Sequence, residues 1–395
     1  ARSAEGAPAE RGGPVMSFKP RKVSEQVIVI TGATSGIGLC TAKMAASRGA
    51  KLVLAARNED DLITACEEAR ALGGQARYVV ADVGDPDAVA AIAETALTSF
   101  GRIDTWVNNA GTSIYGRITE VALADMRRLF DTDFWGMVYG SRAAVSAMRD
   151  GGGVLINVGS IVSDQALPLQ GIYSAAKHAV KGFTDALRME IDEEGLPVAV
   201  SLIKPSAIDT PFIRHAKNYM DVEPKFPPPV YAPEVVATTI LSCAERPVRE
   251  VTVGGGGRIQ TAFGTLVPGL TDKIMARTMV SAQRSDLPPR RSDALYSPRP
   301  YDGGERGNYR GHVMKSSAFT AARLHPVTAL AALTGLGLVA FGSMRALSSR
   351  QRPPPRRPAA PLPQRSPLAA PAMPPRPGRR APRVDPSYVR LADGI

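Results

Sequence analysis

The chain has 395 residues, 44% of them hydrophobic, with a formal charge of +11, which is material for one large domain with additions or for two. From residue 256 onward 22 lysines and arginines face 7 acids, a net of +15, so residues 1–255 carry −4. A mildly acidic main body excludes a nucleic-acid partner as the meaning of the high pI. The scattered three cysteines and four histidines exclude a disulfide framework and a metal site, and suit a reducing, cytoplasmic compartment.

Residues 1–22 lack the apolar stretch of a secretory signal and are expected to be a disordered leader, with Met16 a candidate start. Over residues 23–255, strand-like runs at 27–31, 51–55, 77–80, 103–107, 153–158, 198–203 and 249–253 alternate with helical patterns. The helical patterns lie near 37–48, 58–72, 86–100, 122–149, 171–194 and 233–245. Such alternation predicts right-handed crossovers and a doubly wound parallel sheet, an α/β fold of the Rossmann type.

Residues 256–322 mix weak helix with Pro, Arg and Gly and are expected to form an irregular extension. An apolar helix is expected over 323–345, and its central 327–344 has no charge for 18 positions, near the minimum for spanning a bilayer. Arginines follow at 345, 350, 352, 356 and 357, which would hold that end in the cytoplasm. A helix lying on an anionic membrane surface, or packed within an oligomer, fits as well. Residues 346–395 are expected to be a disordered tail, since 351–395 holds 13 prolines and nine arginines.

Two short stretches carry the chemistry. "TGATSGIG", residues 31–38, closes the first strand, and Gly32, Gly36 and Gly38 let the backbone turn sharply toward a pyrophosphate at a helix N-terminus. "YSAAK", residues 173–177, puts Tyr173 and Lys177 one helical turn apart, where a cation would lower the phenol's pKa. With Asp82-Val83, "NNAG" at 108–111 and Ser160, these motifs resemble the short-chain dehydrogenase/reductase family in order and spacing across residues 23–255.

The resemblance implies roles for particular residues. Tyr173 would be the general acid, Lys177 its electrostatic partner, and Ser160 the group holding the substrate oxygen. Asp133 stands where the family has asparagine, completing a catalytic tetrad with an added negative charge. Cofactor contacts are implied for Gly32, Thr34, Ser35, Gly36, Ile37 and Gly38, then Asp82, Val83, Asn108, Ala110, Gly111, Pro205 and Thr210, besides Tyr173 and Lys177. In "VLAARNED" two alanines come where an NAD-selecting acid would sit, and Arg57 follows. Its planar fork suits a 2′-phosphate, so NADP(H) is expected rather than NAD(H).

The expected activity is hydride transfer between this cofactor and an apolar small-molecule carbonyl or secondary alcohol. The substrate would touch residues 161–171 and 211–232, the second offering Phe212, Tyr219 and Phe226. The competing reading is a cofactor-binding scaffold or regulator without turnover, prompted by Asp133 and the arginine-rich tail. Family members associate through the helices corresponding to 122–149 and 171–194, so a homo-oligomer is expected.

Overall fold

In the first strand, β1 (Val27–Thr31), every residue is buried. Val27 and Val29 enter one apolar cluster while Ile28 and Ile30 enter another. A strand buried on both faces reads as an unbroken β-branched run, and that pattern belongs to the middle of a parallel sheet covered by helices on each side. The computed structural model describes residues 18–256, 264 and 266–324. The described residues lie in one compact unit.

Six further strands complete the sheet: β2 (Lys51–Ala56), β3 (Gln75–Val80), β4 (Thr105–Asn108), β5 (Gly153–Val158), β6 (Val198–Pro205) and β7 (Glu250–Val253). Their order is β7-β6-β5-β4-β1-β2-β3 and every pairing is parallel. Helices α1 (Gly36–Ala46), α2 (Glu59–Ala71) and α3 (Pro86–Phe100) make the first crossovers. Asn58 and Asp85 cap α2 and α3 with their side chains, satisfying N–H groups that have no intrahelical acceptor.

The expected single helix over 122–149 is divided. Helix α4 (Leu123–Phe130) and helix α5 (Gly136–Met148) are joined by a π-helical turn, Asp131–Trp135. Then come α6 (Gly171–Glu193) and α7 (Pro233–Glu245).

The region after residue 255 contains regular structure that composition did not announce. Helix α8 (Pro268–Ala282) sends Met275 into an apolar cluster with Tyr173, and α9 (Ala318–Leu324) packs on β7. Residues Val313–Met314 add a third strand to a small parallel sheet with Val230–Tyr231 and Ala207–Ile208. Among the described residues no helix is long and apolar enough to cross a membrane. Most of the expected leader, the apolar run 327–344 and the basic tail lie outside the described residues.

Candidate active site

At the end of β1 the chain turns through Gly32 at φ +64°, a conformation only glycine adopts without strain. Gly38 is demanded by proximity instead: a Cβ there would stand 2.1 Å from the Gly32 carbonyl oxygen. Asn109 braces the turn, its side-chain amide donating to the carbonyls of Thr31 (2.9 Å) and Gly32 (3.1 Å). Thr31 Oγ1 in turn accepts the backbone N–H groups of Asn109 and Ala110. These bonds tie β1 to β4 where the strand order reverses, which is where open α/β sheets bind ligands.

Ser160 follows β5 and caps a short helical turn, its Oγ accepting Val162 N–H at 3.3 Å. On α6, Tyr173 and Lys177 are both buried, and Lys177 Nζ lies 5.6 Å from the Tyr173 ring centre. The same ammonium donates to the Val158 carbonyl (3.4 Å) and stands 3.2 Å from Asp133 Oδ2. Asp133 comes from the π-helical turn, and its Oδ1 accepts Thr112 N–H at 2.7 Å. Its Oδ2 has no aligned hydrogen bond, so the contact with Lys177 is charge pairing.

The electrostatics run opposite to the simple Tyr–Lys expectation. Burial pushes the Tyr173 phenol well above its ordinary range and the Asp133 carboxylate adds to the rise, while a hydrogen bond from Ser160 opposes them. Burial also raises Asp133, against the pull of Lys177 and Thr112. Ser160, Tyr173 and Lys177 line one cleft of about 250 Å³.

Most of the residues expected around a cofactor line that cleft too. Gly32, Thr34, Ser35, Gly36 and Ile37 come from the turn, and Arg57, Asp82 and Val83 from the ends of β2 and β3. Ala110 and Gly111 follow β4, and Pro205 and Thr210 follow β6. Gly38, Asn108 and Asp133 stand behind the wall. Asn108 had been expected at the cleft, but its amide is occupied inside. It accepts Trp106 Nε1–H (2.7 Å) and donates to Met137 O, Ser141 Oγ and Asn157 Oδ1. Strand neighbours face opposite sides, and Asn109 takes the cleft position.

The region after 255 supplies groups that sequence reasoning missed. Both Arg57 Nη groups donate to backbone carbonyls, those of Leu295 and Tyr296 at 3.3 Å and that of Ala294. Asp82 pairs with Arg128, whose Nε reaches the Leu295 carbonyl at 3.0 Å. Thr34 Oγ1 donates to Asp302 Oδ2 at 2.7 Å, and Gly36 N–H donates to the Gly304 carbonyl at 3.1 Å. No short-range pattern could have announced partners so remote in the chain.

On the opposite side of the cleft, Phe212 and Phe226 line the cavity with Val162 and Leu167. The Phe212 and Tyr173 rings are 5.7 Å apart. Tyr219, expected beside them, instead donates its hydroxyl to Asp125 Oδ2 at 2.6 Å. Another unforeseen group is Lys204, buried at 1% exposure between Asp164 and Glu250, which anchors the segment after Ser160 to β6. Cys40 lies near Glu234 and Glu305, but Arg306 and Lys43 pair with those acids.

Residues 26–220 match the family model described as short chain dehydrogenase. The uncharacterized oxidoreductase YxnA of Bacillus subtilis is 45% identical over 328 residues, covering 81% of this chain and 91% of that one. The chain belongs to the short-chain dehydrogenase/reductase family. It is therefore an oxidoreductase, and the alignment with YxnA, longer than residues 1–255, reaches into the C-terminal region. The putative oxidoreductase SadH of Mycobacterium tuberculosis is 35% identical over 241 residues, 58% of this short-chain dehydrogenase/reductase and 86% of SadH. A family member from Burkholderia phymatum, solved in complex with NAD, superposes with a TM-score of 0.56 at 27% identity, covering 65% of this chain and 96% of that one.

Proposed function

We propose that this short-chain dehydrogenase/reductase uses a nicotinamide dinucleotide to interconvert an apolar carbonyl compound and its secondary alcohol, with Tyr173 as the proton donor. The observation that carries this reading is the convergence of Ser160, Tyr173 and Lys177 on the cleft that the glycine-rich turn also lines. The cradle fits a dinucleotide: a Cβ at Gly36 would come within 3.0 Å of Thr210 across it, and the N-terminus of α1, although the Gly304 carbonyl takes Gly36 N–H, keeps the next N–H groups of its first turn for a pyrophosphate. The NAD in the Burkholderia structure supports the same class of cofactor.

The bound dinucleotide would supply or accept the hydride. The protein's own groups manage the substrate oxygen. Ser160 accepts from Val162 N–H, and its one hydroxyl proton, directed at Tyr173, would turn to hold that oxygen. Tyr173 gives up the phenolic proton as charge develops there, and Lys177, fixed by Asp133, keeps a positive field nearby. Phe212, Phe226, Val162 and Leu167 exclude water. A phenol held far above its usual range rests in the protonated form, the one that donates in carbonyl reduction.

A panel of ketones with NADH and NADPH, followed at the cofactor's absorbance, tests this. Turnover with at least one apolar ketone is expected. Tight cofactor binding with no turnover across the panel would instead mean a scaffold, the reading that Asp133's opposition to phenol ionisation favours. As for cofactor form, Arg57 alone favours NADP(H), whereas its carbonyl partners and the nearby Asp302 favour NAD(H). Exposure of Trp135 (45%) and Met189 (63%) supports association through the helical faces carrying them. Light scattering that returned a monomer at micromolar concentration would end that part of the proposal.

A further inference from the structure

An acid at the end of the second strand is how dinucleotide folds hold the ribose 2′-hydroxyl and refuse a 2′-phosphate. Here that strand ends Ala55-Ala56 and Arg57 follows, without an acid. The structure brings one from elsewhere. Asp302 lines the cleft and accepts a hydrogen bond from Thr34 of the glycine-rich turn. Its backbone N–H donates to Asp61 in the first turn of α2, the helix that follows β2, so it stands at the corner between the glycine-rich turn and the end of β2.

Asp302 is held by its backbone as well as by its side chain. Its backbone N–H donates to Asp61 Oδ2 at 2.7 Å, and its carbonyl meets His215 Nε2 at 2.8 Å. The next residues are fixed as well. A Cβ at Gly303 would touch Pro211 at 3.1 Å, Gly304 accepts Gly36 N–H, and Glu305 pairs with Lys43 at 2.9 Å. Arg57, the group suited to a phosphate, has both Nη groups on the carbonyls of residues 294–296. The corner thus offers a fixed carboxylate acceptor and an arginine whose fork is already engaged.

Resting on the proposed dinucleotide site, we infer that Asp302 reads the adenosine ribose, accepting a hydrogen bond from a free 2′-hydroxyl and repelling a 2′-phosphate, so that the C-terminal region makes the enzyme select NAD(H) over NADP(H). Arg57 then serves to clamp residues 294–296 over the cleft.

Titration calorimetry of the full chain with NADH and with NADPH tests this without relying on turnover. The wild-type protein is expected to bind NADH more tightly. Asp302→Asn keeps the size of the side chain and its contact with Thr34, and should shift the affinity ratio toward NADPH by about tenfold or more, the scale of one charged hydrogen bond. Asp302→Ala should shift it in the same direction. Arg57→Ala should weaken both dinucleotides alike. A wild-type preference for NADPH, an Asp302→Asn ratio unchanged within the error of folded protein, or a selective loss of NADPH in Arg57→Ala would each overturn the inference. Failure of the wild-type chain to bind either dinucleotide would instead remove the proposed function beneath it.

Discussion

Tyr173 packs against Phe212, and its phenol is driven upward by burial and by Asp133. Tyr173→Phe keeps the ring contact and removes only the hydroxyl that carries the proton. The expected result is a kcat lower by ~10²–10⁴-fold, the usual yield of a positioned acid, with little change in dinucleotide affinity by calorimetry. Retention of a tenth of the activity would contradict the role. Asp133→Asn works through the neighbouring charge. Removing the carboxylate lowers the phenol's pKa, so in alcohol oxidation, where the phenolate is the base, the rate should begin its rise at lower pH. Superimposable pH–rate profiles for the two proteins would mean the charge is silent. Spacing alone puts Tyr173 and Lys177 on one helix face whatever surrounds them, while their expected roles, and that of Asp133, came from the resemblance of the motifs as a set. The place of Asn108 was not legible, because two asparagines in succession point to opposite sides of a strand and only the tertiary fold shows which side is the cleft.

At the scale of elements, the strands and helices of the main sheet follow the apolar runs to within a few residues, since both faces of each central strand must be covered. The π-helical turn at Asp131–Trp135 was invisible. One extra residue in a turn barely disturbs an amphipathic pattern, yet π-turns gather at functional sites. This one carries Asp133 to Thr112 and Lys177. Two-residue strands such as Val313–Met314 are equally unreadable, being too short to show a period. The tightest joint between elements is the turn from β1 to α1. Gly38→Ala forces a Cβ to 2.1 Å from the Gly32 carbonyl, and overpacking of this kind costs about 1–3 kcal/mol. A lower melting temperature together with weakened binding of NADH and NADPH alike is expected; a variant that melts and binds like the wild type would show that the turn yields.

For the whole molecule, what composition marked as an irregular appendage is packed into the same compact unit as the sheet. Leu295 is fully buried in the cluster that holds Tyr173, a contribution of about 1.5–3 kcal/mol. A chain ending at residue 284 should therefore melt lower than one ending at 324 and lose the discrimination between the two dinucleotides that the longer one keeps. Equal melting of the two shortened chains would show that residues 285–324 add nothing to the fold.

The bond from Thr34 to Asp302 joins residues 268 positions apart, and that distance is also an interval of time. At synthesis rates of ~5–20 residues per second, the turn emerges from the ribosome roughly 13–54 s before the acid that closes over it. A nascent chain that has delivered the other walls of the cleft through Phe226 still lacks that acid, so on our inference the choice of cofactor begins only when translation has passed residue 302.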